Sequence, residues 1–271
     1  MSSVSFPPAP KRTHGEASAH FTSLCAVARG VTLSSLFVLL ISLAACSAQP
    51  QPLVFGEPVW TDGETSSYRV TNREGRIVGT ATFQVRRGLE WAQEDGWTLY
   101  REIIDAGVSE RATIEMQPVG YRPLYSHLER TGGSGSQVVE AQISGGQVEL
   151  ALTNRQGATV YERVQVPSDI RDERSLLLIL RALPLAEGYA TRINGFLPVV
   201  GRMERVALQV RRAESVTVPA GAFDTWVVEL KTNERTTRAW VARTAPFTVV
   251  KFIDGRSQAT FELTAFSAGS R

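Results

Sequence analysis

Nucleophilic catalysis needs a Ser, Cys or Thr beside a base such as His or Lys, and this chain offers few such bases. Of the three histidines, His14 and His20 lie in the first 45 residues, so only His127 remains in the rest of the chain. Lys231 and Lys251 are the only lysines beyond that segment, and both stand in strand-like stretches. We therefore expect no Ser–His or Ser–Lys site, and we expect His127 to be a half-exposed strand residue outside any metal site.

Carboxylates are numerous enough for a hydrolase with paired acids, a class that the sequence alone does not exclude. None of them stands in an informative motif, so we expect a protein that is not an enzyme, with no catalytic residue, no cofactor and no metal site. The tryptophans are candidates for lining a ligand pocket, but on strands they are more often core residues. We expect Trp226 and Trp240 to lie inside the fold.

The surroundings of Cys46 indicate a specific chemistry. This residue ends the stretch Gly-Val-Thr-Leu-Ser-Ser-Leu-Phe-Val-Leu-Leu-Ile-Ser-Leu-Ala-Ala-Cys, which follows the cation Arg29. The apolar centre of the stretch, residues 36–43, is too short to cross a bilayer comfortably. A positive start, a short apolar core and small residues before a cleavage point are typical of an export signal.

The residues Leu43-Ala44-Ala45-Cys46 resemble the lipobox of bacterial lipoproteins. The resemblance implies that Cys46 receives a diacylglycerol on its thiol, that residues 1–45 are removed as a signal peptide with 29–45 as its core, and that the new amino terminus can be acylated with palmitate. It implies an anchor on the extracytoplasmic side of a cell membrane, inner or outer, since several acyl chains hold a bilayer firmly. Two alternatives stay open: a plain secretory signal, and an uncut apolar anchor.

Charge argues against nucleic acid as a partner. The chain has 29 Lys and Arg against 27 Asp and Glu, and three of the basic residues but one of the acidic residues precede Cys46. The remaining chain is formally neutral, whereas phosphate binding requires a basic stripe. Because the second cysteine, Cys25, also precedes Cys46, the rest of the chain has neither a disulfide nor a cysteine metal site, and its stability must come from a buried core.

From Ser67 onward, apolar and polar residues alternate and glycines recur, which indicates antiparallel strands. Turn dipeptides predict hairpins at Glu74-Gly75, Gly145-Gly146 and Asp254-Gly255, and the last can take a type I′ turn. We therefore expect an all-β, mainly antiparallel fold. One continuous sheet is simpler than two subdomains divided near residue 168.

One segment departs from the strand pattern. Residues 168–174 begin with capping and acidic residues, residues 176–183 are largely apolar, and Pro184 follows, which predicts a helix near 168–183. Because this helix is apolar nearly all round, we expect it to pack against the sheet as a core plug, with lipid binding as the alternative. The polar, proline-containing stretch over 46–59 predicts a flexible tether, followed by a β-rich domain over 60–271.

Residues 214–226, Glu-Ser-Val-Thr-Val-Pro-Ala-Gly-Ala-Phe-Asp-Thr-Trp, resemble a bacterial envelope family catalogued as domain of unknown function 3108. The resemblance covers residues 183–266 well and 67–85 more loosely. It implies a secreted single curved sheet or half-barrel wrapped around one helix, similar to the half-barrels of lipoprotein carriers. The family has no established catalytic residues, so none is carried over.

The physics of the motif can be understood without the family. Pro219 fixes φ and opens a turn, Gly221 permits a positive φ, and the side chain of Asp224 can accept hydrogen bonds from nearby backbone amides. We expect a structural turn.

Fold analogy favours a carrier whose concave face holds a lipid, an acyl chain or another apolar envelope molecule. The alternative is a structural or protein-interaction lipoprotein whose sheet is filled by its helix and which docks another envelope protein. An open apolar cavity between helix and sheet favours the carrier, and a filled one favours docking.

Overall fold

The computed structural model describes residues 50–93 and 95–270, so Cys46 and the predicted signal peptide lie outside the described residues. Within those ranges the predicted alternation builds fifteen strands. In chain order they are β1 (Thr65–Thr71), β2 (Ile77–Arg87), β3 (Trp97–Asp105), β4 (Val108–Met116), β5 (Pro123–Gly132), β6 (Gly135–Ser144), β7 (Gln147–Thr153), β8 (Thr159–Gln165), β9 (Ile170–Asp172), β10 (Ala190–Leu197), β11 (Arg202–Val218), β12 (Gly221–Lys231), β13 (Thr236–Ala242), β14 (Val249–Ile253) and β15 (Thr260–Ser267).

All these strands form one sheet, as predicted. Its spatial order is β8-β7-β6-β5-β4-β3-β2-β1-β15-β14-β13-β12-β11-β10-β9. Chain neighbours pair antiparallel from β1 to β8 and from β10 to β15, and the antiparallel pair of β1 with β15 joins the two halves. Among the described strands, only β9 pairs in parallel, with β10.

The sheet curves around a short helical segment without closing into a barrel. The edge strands β8 and β9 are at opposite ends of the sheet order and share no ladder. Instead, Ile170 of β9 and Phe196 of β10 pack against Ala141, Val148 and Leu150 of β6 and β7 in a small second core. The main core lies between the helical segment and the rest of the sheet. The two end regions of the sheet are therefore held together by side-chain packing and not by a hydrogen-bonded ladder between β8 and β9.

The helical segment is shorter than predicted. It consists of α1 (Leu176–Ile179) with 3₁₀ turns at Glu173–Ser175 and Leu180–Ala182. The prediction that it begins at residue 168 is wrong, because Ile170–Asp172 pairs with β10 as a strand. Asp172 then caps the segment, since its Oδ1 accepts a hydrogen bond of 2.8 Å from an amide of the first turn. In the part of the chain that the structure describes, no helix has the length and apolar character needed to span a bilayer.

Two of the three predicted hairpin turns are confirmed. β1 and β2 flank Glu74-Gly75, and Gly145-Gly146 joins β6 to β7 with φ angles of 55° and 79°. The two-residue prediction at Asp254-Gly255 is wrong, because residues 254–259 form a longer loop between β14 and β15. Oδ2 of Asp254 accepts hydrogen bonds from the amides of Arg256 and Ser257, at 3.1 and 2.7 Å, and so stabilises this longer loop.

The Pro-Ala-Gly motif forms the expected turn. Pro219 and Ala220 connect β11 to β12, and Gly221 has a φ of 133°. Asp224 plays a different part from the predicted one, because its Oδ1 accepts a hydrogen bond of 2.5 Å from the Ser215 hydroxyl across the hairpin. The motif therefore stabilises a turn, as expected from its residues.

The described part of the predicted tether is packed against the domain. The amide of Gly56 donates a hydrogen bond of 2.7 Å to the carbonyl of Ala182, and the ring of Phe55 meets Tyr121 edge-on with centroids 5.3 Å apart. Burial of aromatic rings stabilises this stretch in spite of its proline content. The β-rich domain thus begins before residue 60, and its first residues cover one end of the sheet.

The tryptophans divide between core and surface. Three lie in the core: Trp60, Trp97 and Trp240. The prediction for Trp226 is wrong, because this side chain is only partly buried, with the guanidinium carbon of Arg243 4.5 Å from its ring centroid. It stands next to the last residue pair of β12 with β13, beyond which β12 pairs with β11 alone.

Candidate ligand cleft

A cleft of about 460 Å³ opens at one end of the curved sheet. The turns β3–β4, β10–β11, β12–β13 and β14–β15 and the adjoining ends of β5 and β6 line it, because alternate turns of an antiparallel sheet fall at the same end. Small-molecule sites typically measure roughly 300–1,000 Å³. The cleft is therefore large enough to hold a ligand.

The floor of the cleft is apolar and its rim is charged. Five buried side chains supply the floor: Leu128, Leu176, Leu197, Phe252 and Phe261. At the rim, Arg130 and Arg256 are exposed to solvent. Such a site suits a ligand with an apolar body and a polar end.

One half of the helical segment forms a wall of this cleft, and the other half packs into the core. In the open half, residues 173–177, Leu177 is partly exposed and lines the cleft. In the packed half, residues 178–182, Leu180 is fully buried and borders no cavity described for the domain. A void of about 30 Å³ remains between the segment and β1 to β3, which is room for roughly one or two water molecules. Cavity and core therefore lie side by side along one short segment.

A buried ion pair attaches the start of the segment to β5. The guanidinium of Arg174 donates to both carboxylate oxygens of Asp172, at 3.1 and 3.0 Å, and Ser126 donates to the same carboxylate at 2.7 Å. Burial disfavours the ionised carboxyl, but the charge and hydrogen bonds of Arg174 and Ser126 outweigh it, so the pKa of Asp172 lies below its usual value. Asp172 thus stays ionised and paired.

A second buried ion pair fixes the end of the segment. The guanidinium of Arg181 donates to both carboxylate oxygens of Glu64, at 2.6 and 3.3 Å, and to the carbonyl of Pro246 at 2.8 Å. The side chains of Arg181 and Glu64 are 5% and 3% exposed. Because a buried charge needs a partner, this contact holds the packed half in one position.

At the mouth of the cleft, one arginine forms ion pairs with two carboxylates. Nη2 of Arg235 lies 2.5 Å from Glu173 and 2.9 Å from Glu204. Burial raises the pKa of Glu173 above its usual value, although the charge of Arg235 opposes the rise. The charge of Arg235 is therefore compensated within the protein.

Arg101 of β3 lies where the cleft meets the small void. Its guanidinium carbon is 4.9 Å from the ring centroid of Phe83, and its Nη1 donates a hydrogen bond of 3.3 Å to the carbonyl of Arg174. Its Nε is buried without a hydrogen-bond partner. Burial lowers the pKa of Arg101, yet a guanidinium remains charged in proteins.

The cleft contains neither His127 nor the lysines Lys231 and Lys251, whereas the helical segment, for which lipid binding was the alternative, does line it. Cys46 lies outside the described residues. His127 is half-exposed, as predicted, and its Nδ1 lies 3.4 Å from the carboxylate of Glu140, on the face of β5 opposite to the cleft residue Leu128. Across residues 50–93 and 95–270, no group of three His, Cys, Asp or Glu side chains is placed to hold a metal ion.

Arg101 was missed by sequence reasoning, although a signal for it exists. Leu99, Arg101 and Ile103 alternate along β3 and so share one face, on which Leu99 is buried. A cation in the middle of an apolar strand face indicates a polar partner or a ligand. Leu177 carried no comparable signal, because contiguous leucines do not reveal which one faces a cavity.

Comparison with one solved structure supports the fold. The domain is similar to the crystal structure of a beta-barrel-like protein of domain of unknown function DUF1849 from Brucella abortus, with a TM-score of 0.53 and 9% identity over 78% of this chain and 100% of that one. A candidate exported protein with a YmcC-like fold from Bacteroides fragilis gives a TM-score of 0.29 at 12% identity, over 79% of this chain and 100% of that one. A candidate lipoprotein from Parabacteroides distasonis gives 0.27 at 14% identity, over 80% and 100%.

Sequence comparison assigns the family. No curated protein matches the chain. The family model described as protein of unknown function DUF3108 matches residues 67–264, which include every strand from β2 to β14 and the helical segment. The chain therefore belongs to the DUF3108 family.

Proposed function

We propose that this protein is a lipid-anchored lipoprotein of the bacterial cell envelope whose domain binds and carries an apolar or amphiphilic molecule. The observation that supports carriage is the cleft of about 460 Å³, which has an apolar floor and an open mouth. A sheet filled by its helix would leave no such space. The proposed role is binding, and it requires neither a catalytic residue nor a cofactor.

The proposed anchor at Cys46 is close in the chain to the end of the sheet opposite to the cleft mouth, which we call the closed end. The amide of Gln51 donates a hydrogen bond of 2.7 Å to the carbonyl of Ala190 at the start of β10, whereas Leu197 at the end of β10 lines the cleft. The five residues before Gln51 span at most about 18 Å when extended, and a strand as long as β10 measures about 26 Å. The anchor would therefore hold the closed end nearer the membrane and direct the mouth away from it.

Binding of a fluorescent fatty acid tests carriage. The described residues all belong to one compact unit, so residues 46–271 with Cys46→Ser provide the domain without its lipid. We expect saturable binding to the folded domain, and we expect Leu177→Trp to lower the capacity because the indole fills the cleft. Ile104→Trp is the matched control, since Ile104 is 44% exposed outside the cleft and its replacement should leave capacity unchanged. Failure of every acyl probe to bind would contradict carriage.

Replacement of the proposed acceptor tests the anchor. With Cys46→Ser in the full chain, the protein should lose its lipid and leave the membrane fraction, because the thiol is the proposed attachment point. Mass spectrometry of the amino-terminal peptide and fractionation measure both effects. Unchanged membrane association with an uncut precursor would show that residues 36–43 are themselves the anchor.

The edge strand β8 favours docking as a second candidate function. Val160 and Tyr161 on this strand are 56% and 80% exposed. Among the described strands β8 pairs with β7 alone, so the backbone groups on its other side are available to a strand from a partner. Tyr161→Lys should reduce crosslinking to an envelope protein in intact cells without changing fatty-acid binding. Crosslinking that persists at wild-type yield would contradict docking at this edge.

A further inference from the structure

We propose that Arg101 makes the cleft selective for molecules in which an anionic headgroup, a carboxylate or a phosphate, is attached to an apolar chain. The inference rests on the proposed carrier function and names its class of ligand. The headgroup would meet the guanidinium at the inner end of the cleft, and the chain would lie along the apolar floor toward the mouth.

Among the described residues, no carboxylate forms a direct ion pair with Arg101. Two other arginines that line the cleft, Arg174 and Arg235, form ion pairs with carboxylates of the domain. Two more, Arg130 and Arg256, stand at the exposed rim, where water solvates them. Arg101 lies inside, and within residues 50–93 and 95–270 no carboxylate oxygen is within 4.0 Å of it. The cleft therefore contains one interior cation that an anionic ligand can pair with.

Hydrogen-bond donors at this point are also unused. A guanidinium has five N–H donors, and Nη1 of Arg101 has a single partner, while Nε is buried without one. Nη1 of Arg174 is likewise buried without a partner, and both side chains line the same space. Two oxygen acceptors on one headgroup match such a pair of donors, as carboxylates and phosphates do with arginine elsewhere.

The guanidinium of Arg101 is held in place before any ligand arrives. It lies over the ring of Phe83 and is attached to the backbone of the helical segment through Arg174. A side chain that is already ordered loses little freedom on binding, so more of the interaction energy appears as affinity. Because the group is partly withdrawn from water, an opposite charge stabilises it more than it would on the surface.

Glu110 of β4 is the carboxylate that most favours the charged form of Arg101. It lines the cleft, is partly exposed, and forms no salt bridge with Arg101. Glu110 therefore moderates the charge of the empty site without occupying the guanidinium donors. An uncharged headgroup would gain little from this arrangement.

Three probes with the same alkyl chain test the inference on residues 46–271 with Cys46→Ser: a fatty acid, an alkyl phosphate and a fatty alcohol. We expect the tighter of the two anionic probes to bind about tenfold or more tightly than the alcohol, the change expected from charge-assisted hydrogen bonds. The order of the acid and the phosphate identifies the preferred headgroup. Calorimetric titration measures all three affinities.

Variants assign the selectivity to Arg101. Arg101→Met should weaken the anionic probes by about tenfold and leave the alcohol unchanged, because it removes the charged guanidinium and keeps an unbranched apolar stem. The affinity of Arg101→Lys for the anionic probes should lie between those of the unsubstituted domain and Arg101→Met, since lysine keeps the charge without the planar fork. Arg192→Met is the matched control and should alter none of the affinities, because Arg192 is an exposed strand arginine of β10 that does not line the cleft.

Two results overturn the inference in different ways. Equal affinity of the unsubstituted domain for acid, phosphate and alcohol excludes headgroup selectivity and leaves carriage standing, even if Arg101→Met fails to fold. Absence of binding for all three probes overturns the carrier function and this inference with it.

Discussion

The two halves of the helical segment contact the same curved sheet with opposite results. Around the packed half, Leu180 is fully buried and Arg181 is neutralised by Glu64. Around the open half, Leu177 borders a cleft of about 460 Å³, and within residues 50–93 and 95–270 no carboxylate pairs directly with Arg101. The packed half completes a core, whereas the open half borders empty space and an arginine without a paired carboxylate among the described residues. The comparison indicates that stability resides in the packed half and binding in the open half.

The largest expected effect is at the ion pair of the packed half. Glu64→Ala leaves Arg181 as a buried cation without its carboxylate, which should lower the free energy of unfolding by about 3–5 kcal/mol. Denaturant unfolding measures the change. The double variant Glu64→Leu/Arg181→Leu should recover most of the loss, because no buried charge is then unpaired. A loss below about 1 kcal/mol in the single variant would be typical of a surface pair and would contradict this role.

Truncation of one leucine in each half sharpens the comparison. Leu180→Ala should cost about 2–5 kcal/mol of unfolding free energy, because it leaves a cavity in a closed core. Leu177→Ala should cost about 1 kcal/mol, since its side chain is already partly exposed to the cleft. Equal losses in denaturant unfolding would erase the distinction between the halves.

Enlargement of the same two side chains tests the space around them. Leu180→Trp should destabilise the domain by about 1–3 kcal/mol because a filled core has no room for an indole. Leu177→Trp should leave the unfolding free energy within about 0.5 kcal/mol and instead reduce fatty-acid capacity. Thermal unfolding and probe titration on the same samples separate the two effects. Destabilisation by Leu177→Trp as large as that by Leu180→Trp would show that the cleft is not open space.

The smallest expected effects concern pH, where two adjacent residues have opposite shifts. The pKa of Asp172 is lowered, so its stabilising contribution is present above its usual pKa of about 3.9 and is lost as pH falls below it. Asp172→Asn should therefore flatten the fall of unfolding free energy in acid. If the unfolding free energy of this variant still falls in acid with an unchanged slope, a carboxylate other than Asp172 supplies the stabilisation.

Glu173, in the open half, behaves in the opposite sense. Its pKa is raised, so the folded state favours its neutral form, and stability declines as pH rises through its usual value of about 4.3 toward the raised one. Glu173→Gln should remove this decline in the same pH series. If the unfolding free energy of Glu173→Gln still declines over this pH range, Arg235 already compensates the charge of Glu173 fully.

Features that depend on neighbouring residues were predictable from the sequence. The alternation along β1 and β2, and the two glycines at Gly145-Gly146 with positive φ, predict hairpins because strand periodicity and turn geometry are local. The helical segment was detected from its leucines, but its start was not. The pairing of Ile170 with Asn194 joins residues far apart in the chain and overrides the capping signals at residues 168 and 169.

The candidate site was predictable only in part, for the same reason. That Arg101 shares a strand face with Leu99 and Ile103 can be read from β3 alone. Whether a carboxylate meets this arginine depends on β4 and on the helical segment, and that is decided when the sheet curves. In the same way, the leucine run predicts burial, while the geometry of the curved sheet decides which leucines meet a core and which meet a cleft.

The sequence by itself determined the antiparallel class, most of the hairpins, the presence of a helical segment and the resemblance to the DUF3108 family. Each of these depends on residue types at short, fixed spacings. The tertiary structure alone decided that the segment before residue 60 packs against the domain, that Trp226 stays partly exposed and that the interior holds both a core and a cleft. Burial, free volume and charge compensation are properties of contacts between distant parts of the chain, and those contacts exist only once the sheet has curved around its helical segment.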